Sequence, residues 1–349
     1  MERREHRPRI ADVARAAGVS KTAVSFAFNS PERLSAETAT RIRAVADGLG
    51  YRPNPVARML TQGRTMTLGV LTPQALAVIF SNPFFALFSE GVAQAAEEQG
   101  YELHFISPVH GSLELAMGRA MVDGVVAIGL SADHPEVEQL QAAGLPMVLV
   151  DSDDLPEHSS VVVDDEAGGR AAAQHLVDLG HRDVLVLAVE GPQSATTRPR
   201  HEGVSERRLR GYASALERVG VPVGSDRIVA GRASIEGGAA AFRRAWAAGL
   251  RPTGVLAMSD AMAIGAMRAA RDQGHRIPDD LSVVGFDDID LASHVDPPLT
   301  TVHQPIREKG AVAARLLLAH IAAGAAQRPE QVRLSTDLVV RASTAPPNR

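Results

Sequence analysis

The chain contains no cysteine, and only 4% of its 349 residues are aromatic. The first absence excludes disulfides, thiolate metal sites and cysteine nucleophiles, and it suits a reducing cytoplasm. The second means that the core must be built mainly from Ala, Val, Leu and Ile. Lysine is nearly missing as well: Lys21 and Lys309 are the only two among 36 basic residues. No apolar run reaches the ~20 residues that a membrane span needs. The richest stretches, Phe80 to Phe88 and Ala311 to Ile321, are cut by Asn82-Pro83 and Arg315. The start, Met-Glu-Arg-Arg-Glu-His-Arg-Pro-Arg, carries charge with no apolar run behind it, so no secretory signal is expected. These absences point to a cytoplasmic protein without a membrane partner.

Catalytic patterns are missing too. There is no G-x-x-x-x-G-K-[ST], H-E-x-x-H, G-x-S-x-G or G-x-G-x-x-G, and the twelve histidines show no metal-ligand spacing. No catalytic residue, metal or cofactor is therefore expected. An enzyme on this chain would need a site outside those patterns.

What is present is an asymmetry of charge. The net charge of −5 hides a basic head: residues 1–64 hold twelve Arg and Lys against six Asp and Glu, and the remainder holds 24 against 35. A basic head on an acidic body suggests that only the head meets a polyanion. In that head Ile10, Val13, Ala14, Ala17, Val19 and Val24 fall at helical spacing around Gly18. A first helix is predicted over Ala11 to Ala17, and a second from a Ser20 cap to about Phe28. A third follows a Ser35 cap, turns Ile42, Val45, Ala46 and Leu49 inward and ends at Gly48 to Gly50. This is the helix-turn-helix pattern. On spacing alone two readings stay open, DNA binding and a three-helix interaction module. Asn54-Pro55 then opens a helix of two turns that ends before Gly63, too short to persist unsupported.

From Met66 onward short apolar runs alternate with helical segments that end on Gly100, Gly144, Gly180, Gly220, Gly249 and Gly274. Strands are predicted at Thr67–Thr72, Glu102–Ser107, Gly124–Leu130, Met147–Asp151, Ser160–Asp164, Val184–Val189, Gly254–Met258 and Ser282–Phe286. Alternating strands and helices mean parallel sheets covered on both faces, and eight to ten strands suggest two similar lobes. Ligands in such α/β folds bind beyond the carboxyl ends of strands. Thr72, Asp151, Asp164, Ser259-Asp260 and Asp287-Asp288 stand at those ends. Each has a bland alternative as the cap of the following helix. Together, with an arginine, they could line one polar cleft suited to sugar hydroxyls. Glu190 to Glu206 reads as a long polar surface loop.

Ile10-Ala11-Asp12-Val13-Ala14-x-x-Ala17-Gly18-Val19-Ser20-x-x-Ala23-Val24-Ser25, followed by Asn29 and Tyr51-Arg52-Pro53-Asn54, closely resembles the head of the lactose/galactose repressor family. The resemblance continues through the body: Val122-Asp123-Gly124, His175-Leu176-x-x-Leu179-Gly180-His181, Arg208-x-x-Gly211-Tyr212, Val283-Val284-Gly285-Phe286-Asp287-Asp288 and Pro298-Leu299-Thr300-Thr301-Val302. It implies an all-α DNA-binding domain over 1–53, a hinge helix and linker over 54–65, and a two-lobed body over 66–349 like periplasmic sugar-binding proteins. Lobe one is expected at 66–164 and 304–330, lobe two at 165–303 and 331–349.

The resemblance further implies a homodimer on an inverted-repeat operator of double-stranded DNA, with a small-molecule effector, a sugar or related polar metabolite, between the lobes. It places Ser20, Lys21, Thr22, Ala23, Ser25, Phe26 and Asn29 against DNA, with Asn54, Ala57 and Leu60 in the hinge and Leu60 as a minor-groove wedge. It places Thr72, Phe84, Phe85, Asp151, Arg208, Ser259, Asp287 and Gln304 around the effector. Three positions depart from the family pattern: Phe26 where arginine is frequent, Ser259 where asparagine is frequent, and Ala233 where an aromatic often stacks on the ligand. A sugar-binding protein without DNA activity is the alternative, and the basic head argues against it.

Overall fold

A computed structural model describes residues 8–53, 59, 63–130, 134, 136, 139–140, 144–152, 157–190, 203–324 and 328–348. The chain divides after Thr65 into two units, Met1–Thr65 and Met66–Arg349. Asn54, Ala57 and Leu60, the predicted hinge helix around them and most of the 190–206 loop lie outside the described residues.

In the first unit α1 (Ile10–Ala17), α2 (Lys21–Asn29) and α3 (Ala36–Gly48) surround a small core. α1 ends where Gly18 takes a left-handed φ of 65°, which turns the chain within three residues into α2. The Ser20 hydroxyl accepts from the Ala23 amide at 3.1 Å, and the Ser35 hydroxyl accepts from Thr38. These are the expected caps. Val13, Ala14, Ala17, Val24, Ala27, Ile42 and Ala46 form the core, with Ile10, Val19 and Val45 packed at its edge. Leu49 corrects the expectation. It is the C-terminal cap of α3, 41% exposed and outside the head core.

The second unit contains two six-stranded sheets. The first has the order β11-β5-β4-β3-β1-β2, built from Thr67–Leu71 (β1), Glu102–Ile106 (β2), Gly124–Ile128 (β3), Met147–Val150 (β4), Ser159–Val163 (β5) and Gln331–Leu334 (β11). The second has the order β12-β10-β9-β8-β6-β7, from Val184–Val189 (β6), Ile228–Gly231 (β7), Gly254–Ala257 (β8), Ser282–Asp287 (β9), Thr300–His303 (β10) and Asp337–Val339 (β12). All pairings are parallel except β12 on β10. Apart from the last strand of each, the sheets share one winding, so β4 and β9 are equivalent strands in the two lobes.

The chain crosses between lobes at Asp164, at Gln304-Pro305 and after Leu334. The third crossing corrects the expected boundary. Gln331–Leu334 pairs in register with Ser160–Val163 and belongs to lobe one, and only from Asp337 does the chain join lobe two. β11 is a four-residue edge strand with no buried side chain, too short for its alternation to stand out in the sequence.

Both faces of each sheet are covered, as parallel strands require. In lobe one, Val126 and Val148 pack with Phe88, Val92 and Leu317, while Val125 and Leu149 on the other face pack with Leu113 and Met117. In lobe two, Val186 and Leu256 face Ala172, Leu176 and Tyr212, while Leu185 and Val255 face Phe242 and Met262. Glycines let the paired helices approach backbone to backbone. A Cβ on Gly91 would stand 1.9 Å from the Arg307 carbonyl oxygen, and one on Gly310 would stand 2.2 Å from that of Phe88. Gly169 and Gly211 play the same reciprocal part between helices Asp165–Asp178 and Val204–Leu216. These contacts fix where Lys309 and Arg208 point. Among the described residues, no helix is long and apolar enough to cross a membrane.

Candidate functional site

On α2, Val24 and Ala27 are buried, which turns the opposite stripe of the helix outward. Lys21 and Thr22 are exposed in its first turn, and Ser25, Phe26 and Asn29 continue the stripe, half-buried. The Asn29 amide donates to the Ser25 hydroxyl at 3.2 Å, which holds two polar groups together on that face. Ala23 packs against the head core. The Arg33 guanidinium carbon lies 5.1 Å from the centre of the Phe26 ring. This exposed helix of polar side chains, in a unit rich in arginine, has the shape and charge that a major groove admits.

In the second unit the strand ends converge on one buried polar cluster. Asp151 follows β4 and Asp287 ends β9, and both take positive φ, 50° and 126°. Non-glycine residues adopt such angles only when their surroundings hold them there. Lys309, in the first turn of helix Ile306–Ala323, is fully buried, and its ammonium donates to both Asp151 oxygens at 2.8 Å and to Gln304 Oε1 at 2.6 Å. Its three donors are thereby used. Gln304 in turn donates through Nε2 to Asp287 Oδ1 at 2.6 Å. Beyond Asp287, Arg208 Nη1 approaches the same oxygen at 3.8 Å, while its Nε donates to Asp165 Oδ1 at 2.9 Å. Arg208 Nη1 also donates to the Met258 carbonyl, and its guanidinium lies 3.5 Å above the Phe286 ring. Arg207 Nε donates to the second Asp165 oxygen at 3.1 Å.

The cluster thus runs unbroken from lobe one to lobe two: Asp151, Lys309, Gln304, Asp287, Arg208, Asp165. Burial raises the Asp287 carboxyl above its ordinary range, against the opposing pull of Arg208, Gln304 and Lys309. Burial, with the Asp287 charge adding to it, raises Asp260 in the same direction. For Arg208 burial works against the charged form, but Asp165 and Asp287 outweigh it and hold the group above its usual value. The Tyr212 hydroxyl and Arg207 Nη2 are buried in this neighbourhood without a hydrogen-bond partner.

Of the residues expected around the effector, the cluster brings together Asp151, Arg208, Asp287 and Gln304. Phe84 adjoins it, with the Lys309 ammonium 5.3 Å from its ring centre, and Phe85 meets Phe84 edge-on at 5.5 Å. Thr72 is buried at the end of β1, where its hydroxyl accepts from the Gln74 amide. Ser259 is spent largely on structure: its hydroxyl accepts from the Met262 amide as the cap of helix Asp260–Asp272. Asp164 likewise caps its helix through Ala167. Asp260 accepts from the Ile289 amide and the Thr301 hydroxyl. Ala233 leaves no aromatic at its position.

Two central residues were missed by reasoning from sequence. Asp165 was hidden behind the capping Asp164. Lys309 reads as a surface lysine in Arg-Glu-Lys-Gly, and its rarity as one of two lysines was the available signal. Among the described residues no group of three side chains is placed to hold a metal ion.

A three-helix head with an exposed polar helix face and a separate two-lobed α/β unit with a buried polar seam fit the class of DNA-binding transcriptional regulators. Residues 9–54 match the bacterial regulatory proteins of the lacI family, and residues 173–344 match the periplasmic binding protein-like domain. The HTH-type transcriptional regulator CelR of Thermobifida fusca is 35% identical, covering 98% of this chain and all of that protein. A solved CelR–cellobiose complex superposes with a TM-score of 0.71 at 32% identity, over 97% of this chain and 100% of that one. The lac repressor dimer bound to operator and the anti-inducer ONPF gives 0.80 at 28%, with the same coverages. The chain belongs to the lacI family of bacterial regulatory proteins and is a sequence-specific DNA-binding transcriptional regulator, not an enzyme.

Proposed function

We propose that this regulator is a homodimeric repressor that binds an inverted-repeat operator, and that an uncharged, polyhydroxylated ligand of the sugar class between the lobes sets its operator affinity. The carrying observation is the Asp151–Lys309–Gln304–Asp287–Arg208–Asp165 seam. Three cations, Lys309, Arg207 and Arg208, meet three carboxylates, Asp151, Asp165 and Asp287, in direct pairs. A charged ligand would add a buried charge without a counter-ion, which is costly. Hydroxyl groups suit such a seam because each donates and accepts, and charged partners strengthen those bonds. Because the seam joins both lobes, a ligand that inserts into it bears on their relative placement. That is the differential interaction any such switch requires.

At the head, Lys21, Thr22, Ser25, Phe26 and Asn29 are assigned to the DNA face, with Ser20 and Ala23 shaping its first turn. Asn54, Ala57 and Leu60 are assigned to the hinge, with Leu60 as the wedge. The solved relatives support this reading, since one is a dimer on operator and another holds cellobiose. The test is a thermal-shift screen of neutral sugars against their phosphorylated counterparts, followed by calorimetry on the full chain. A neutral sugar is expected to stabilise the protein by mass action. Arg208→Ala is expected to weaken its binding at least tenfold, the loss of one charged hydrogen bond of about 1.5–3 kcal/mol. Stabilisation by phosphorylated sugars alone would overturn the proposal.

A further inference from the structure

We propose that Lys309 is a latch on the ligand site: its ammonium holds the places on Asp151 and Gln304 that hydroxyls of a sugar would take, and a sugar enters by displacing it. The inference rests on the reading of the polar seam as the sugar site. A lysine is seldom fully buried, yet Lys309, one of only two in the chain, has no exposed surface. Of the groups assigned to the ligand, it ties three into one line. The ammonium donates to both Asp151 oxygens at 2.8 Å and to Gln304 Oε1 at 2.6 Å, and the Gln304 amide donates onward to Asp287 at 2.6 Å.

An ammonium has three N–H donors and no acceptor. All three are spent here, so a ligand oxygen can accept from Lys309 only by breaking one of these bonds. A hydroxyl that donates to Asp151 meets the same obstacle from the other side. The ammonium already lies against both carboxylate oxygens, and a charged donor makes the stronger bond. Gln304, Asp287 and Arg208 are buried with it, so room for hydroxyls is made by moving the ammonium.

The backbone cannot supply that movement. Gly310, the next residue, packs so closely that a Cβ there would stand 2.2 Å from the Phe88 carbonyl oxygen, and Gly91 meets Arg307 in the same way. The side chain can supply it, because its four-carbon stem is flexible. The Phe84 ring lies under the ammonium at 5.3 Å, and an aromatic face attracts a cation. An ammonium displaced toward that ring stays in the site and keeps a favourable contact. Lys309 thus sets the concentration at which a ligand takes the site.

The test titrates glucose, ribose and cellobiose by calorimetry into the full chain, as wild type and as Lys309→Met, below both melting transitions. Removing the competitor leaves Asp151 as a charged acceptor for the ligand, so Lys309→Met is expected to bind one of these sugars about tenfold more tightly or better. Binding by Lys309→Met alone would support the latch equally. Lys309→Gln, which is also uncharged but keeps an amide donor, is expected to lie between the two and serves where the methionine variant does not fold. In wild type labelled with 15N-lysine, only Lys21 and Lys309 give side-chain ammonium signals. On saturation with a bound sugar the Lys309 signal should move and the Lys21 signal should stay. Weaker binding by Lys309→Met would make Lys309 a direct ligand contact and overturn the latch, as would an unchanged affinity or an unmoved Lys309 signal. Binding of none of these sugars by any of the three proteins would remove the sugar reading itself, and the latch with it.

Discussion

Replacing Lys309 with methionine keeps the length of the side chain and removes its charge from the middle of the lobe-to-lobe seam. Asp151 then loses the ammonium that bonds both of its oxygens, and Gln304 Oε1 loses its ammonium contact. Lys309 is fully buried and the Asp151 side chain is 10% exposed, so little water can take over. Breaking a buried pair from one side costs about 3–5 kcal/mol, chiefly because the remaining charge is left uncompensated. For a body of this size, that amounts to a fall of about 10 °C in midpoint temperature. Replacing Asp151 by asparagine in the Lys309→Met background removes the stranded charge, and asparagine tolerates the left-handed φ at that position. The double variant should therefore recover most of the loss. Circular dichroism melts and urea titrations of the four proteins form the cycle. A Lys309→Met midpoint within about 2 °C of wild type, or a double variant as unstable as the single, would refute the reasoning.

Three further outcomes are expected. Ser20→Ala deletes the cap on α2 and should cost about 1 kcal/mol, seen as roughly fivefold faster amide exchange in the first turn of that helix. Gly91→Ala drives a Cβ against the Arg307 carbonyl backbone, so the helix pair must separate, and a urea titration should show a loss of about 1–3 kcal/mol. Asp260, with its pKa raised by burial, is protonated more readily in the folded than in the unfolded chain. Stability should therefore decline as pH rises from about 4 toward neutral, because the unfolded chain releases that proton first. Asp260→Asn should flatten this decline in melts taken across the range, and an unchanged slope would contradict the assignment.

The parts of the molecule legible in sequence are those governed by neighbouring residues. Ser20 and Ser35 cap their helices through amides three residues away, and Gly100, Gly180, Gly220, Gly249 and Gly274 take the left-handed turn expected of them. β6, buried at nearly every position, stands at Val184–Val189 as predicted. The strands that sequence did not reveal are short or lie at edges. β7 and β12 are mostly half-buried, at four and three residues, and their side chains lack the alternation that announces a strand. The pairing of β11 with β5 joins residues some 170 apart, and no local pattern encodes it.

The site divides the same way. Asp151 and Asp287 were legible because parallel strands gather their carboxyl ends at one edge, whereas Gln304 came only from the family resemblance, since the strand before it, Thr300–His303, was not predicted. Whether a strand-end side chain caps a helix or lines the seam depends on partners supplied by the other lobe. That is why Ser259 turned out to serve mainly as a cap and why Lys309 went unseen. Its helix pattern gives no hint that it points inward, because the close approach at Gly91 and Gly310 fixes its direction.

The central claim is that the basic head reads a defined, two-fold symmetric DNA site. Its most direct test is selection from a random duplex library by the full chain, followed by footprinting of the enriched sequence. The expected result is one enriched site made of two inverted half-sites, protected on both and released steeply as salt rises. Enrichment of no sequence, or of a site without dyad symmetry, would contradict the account.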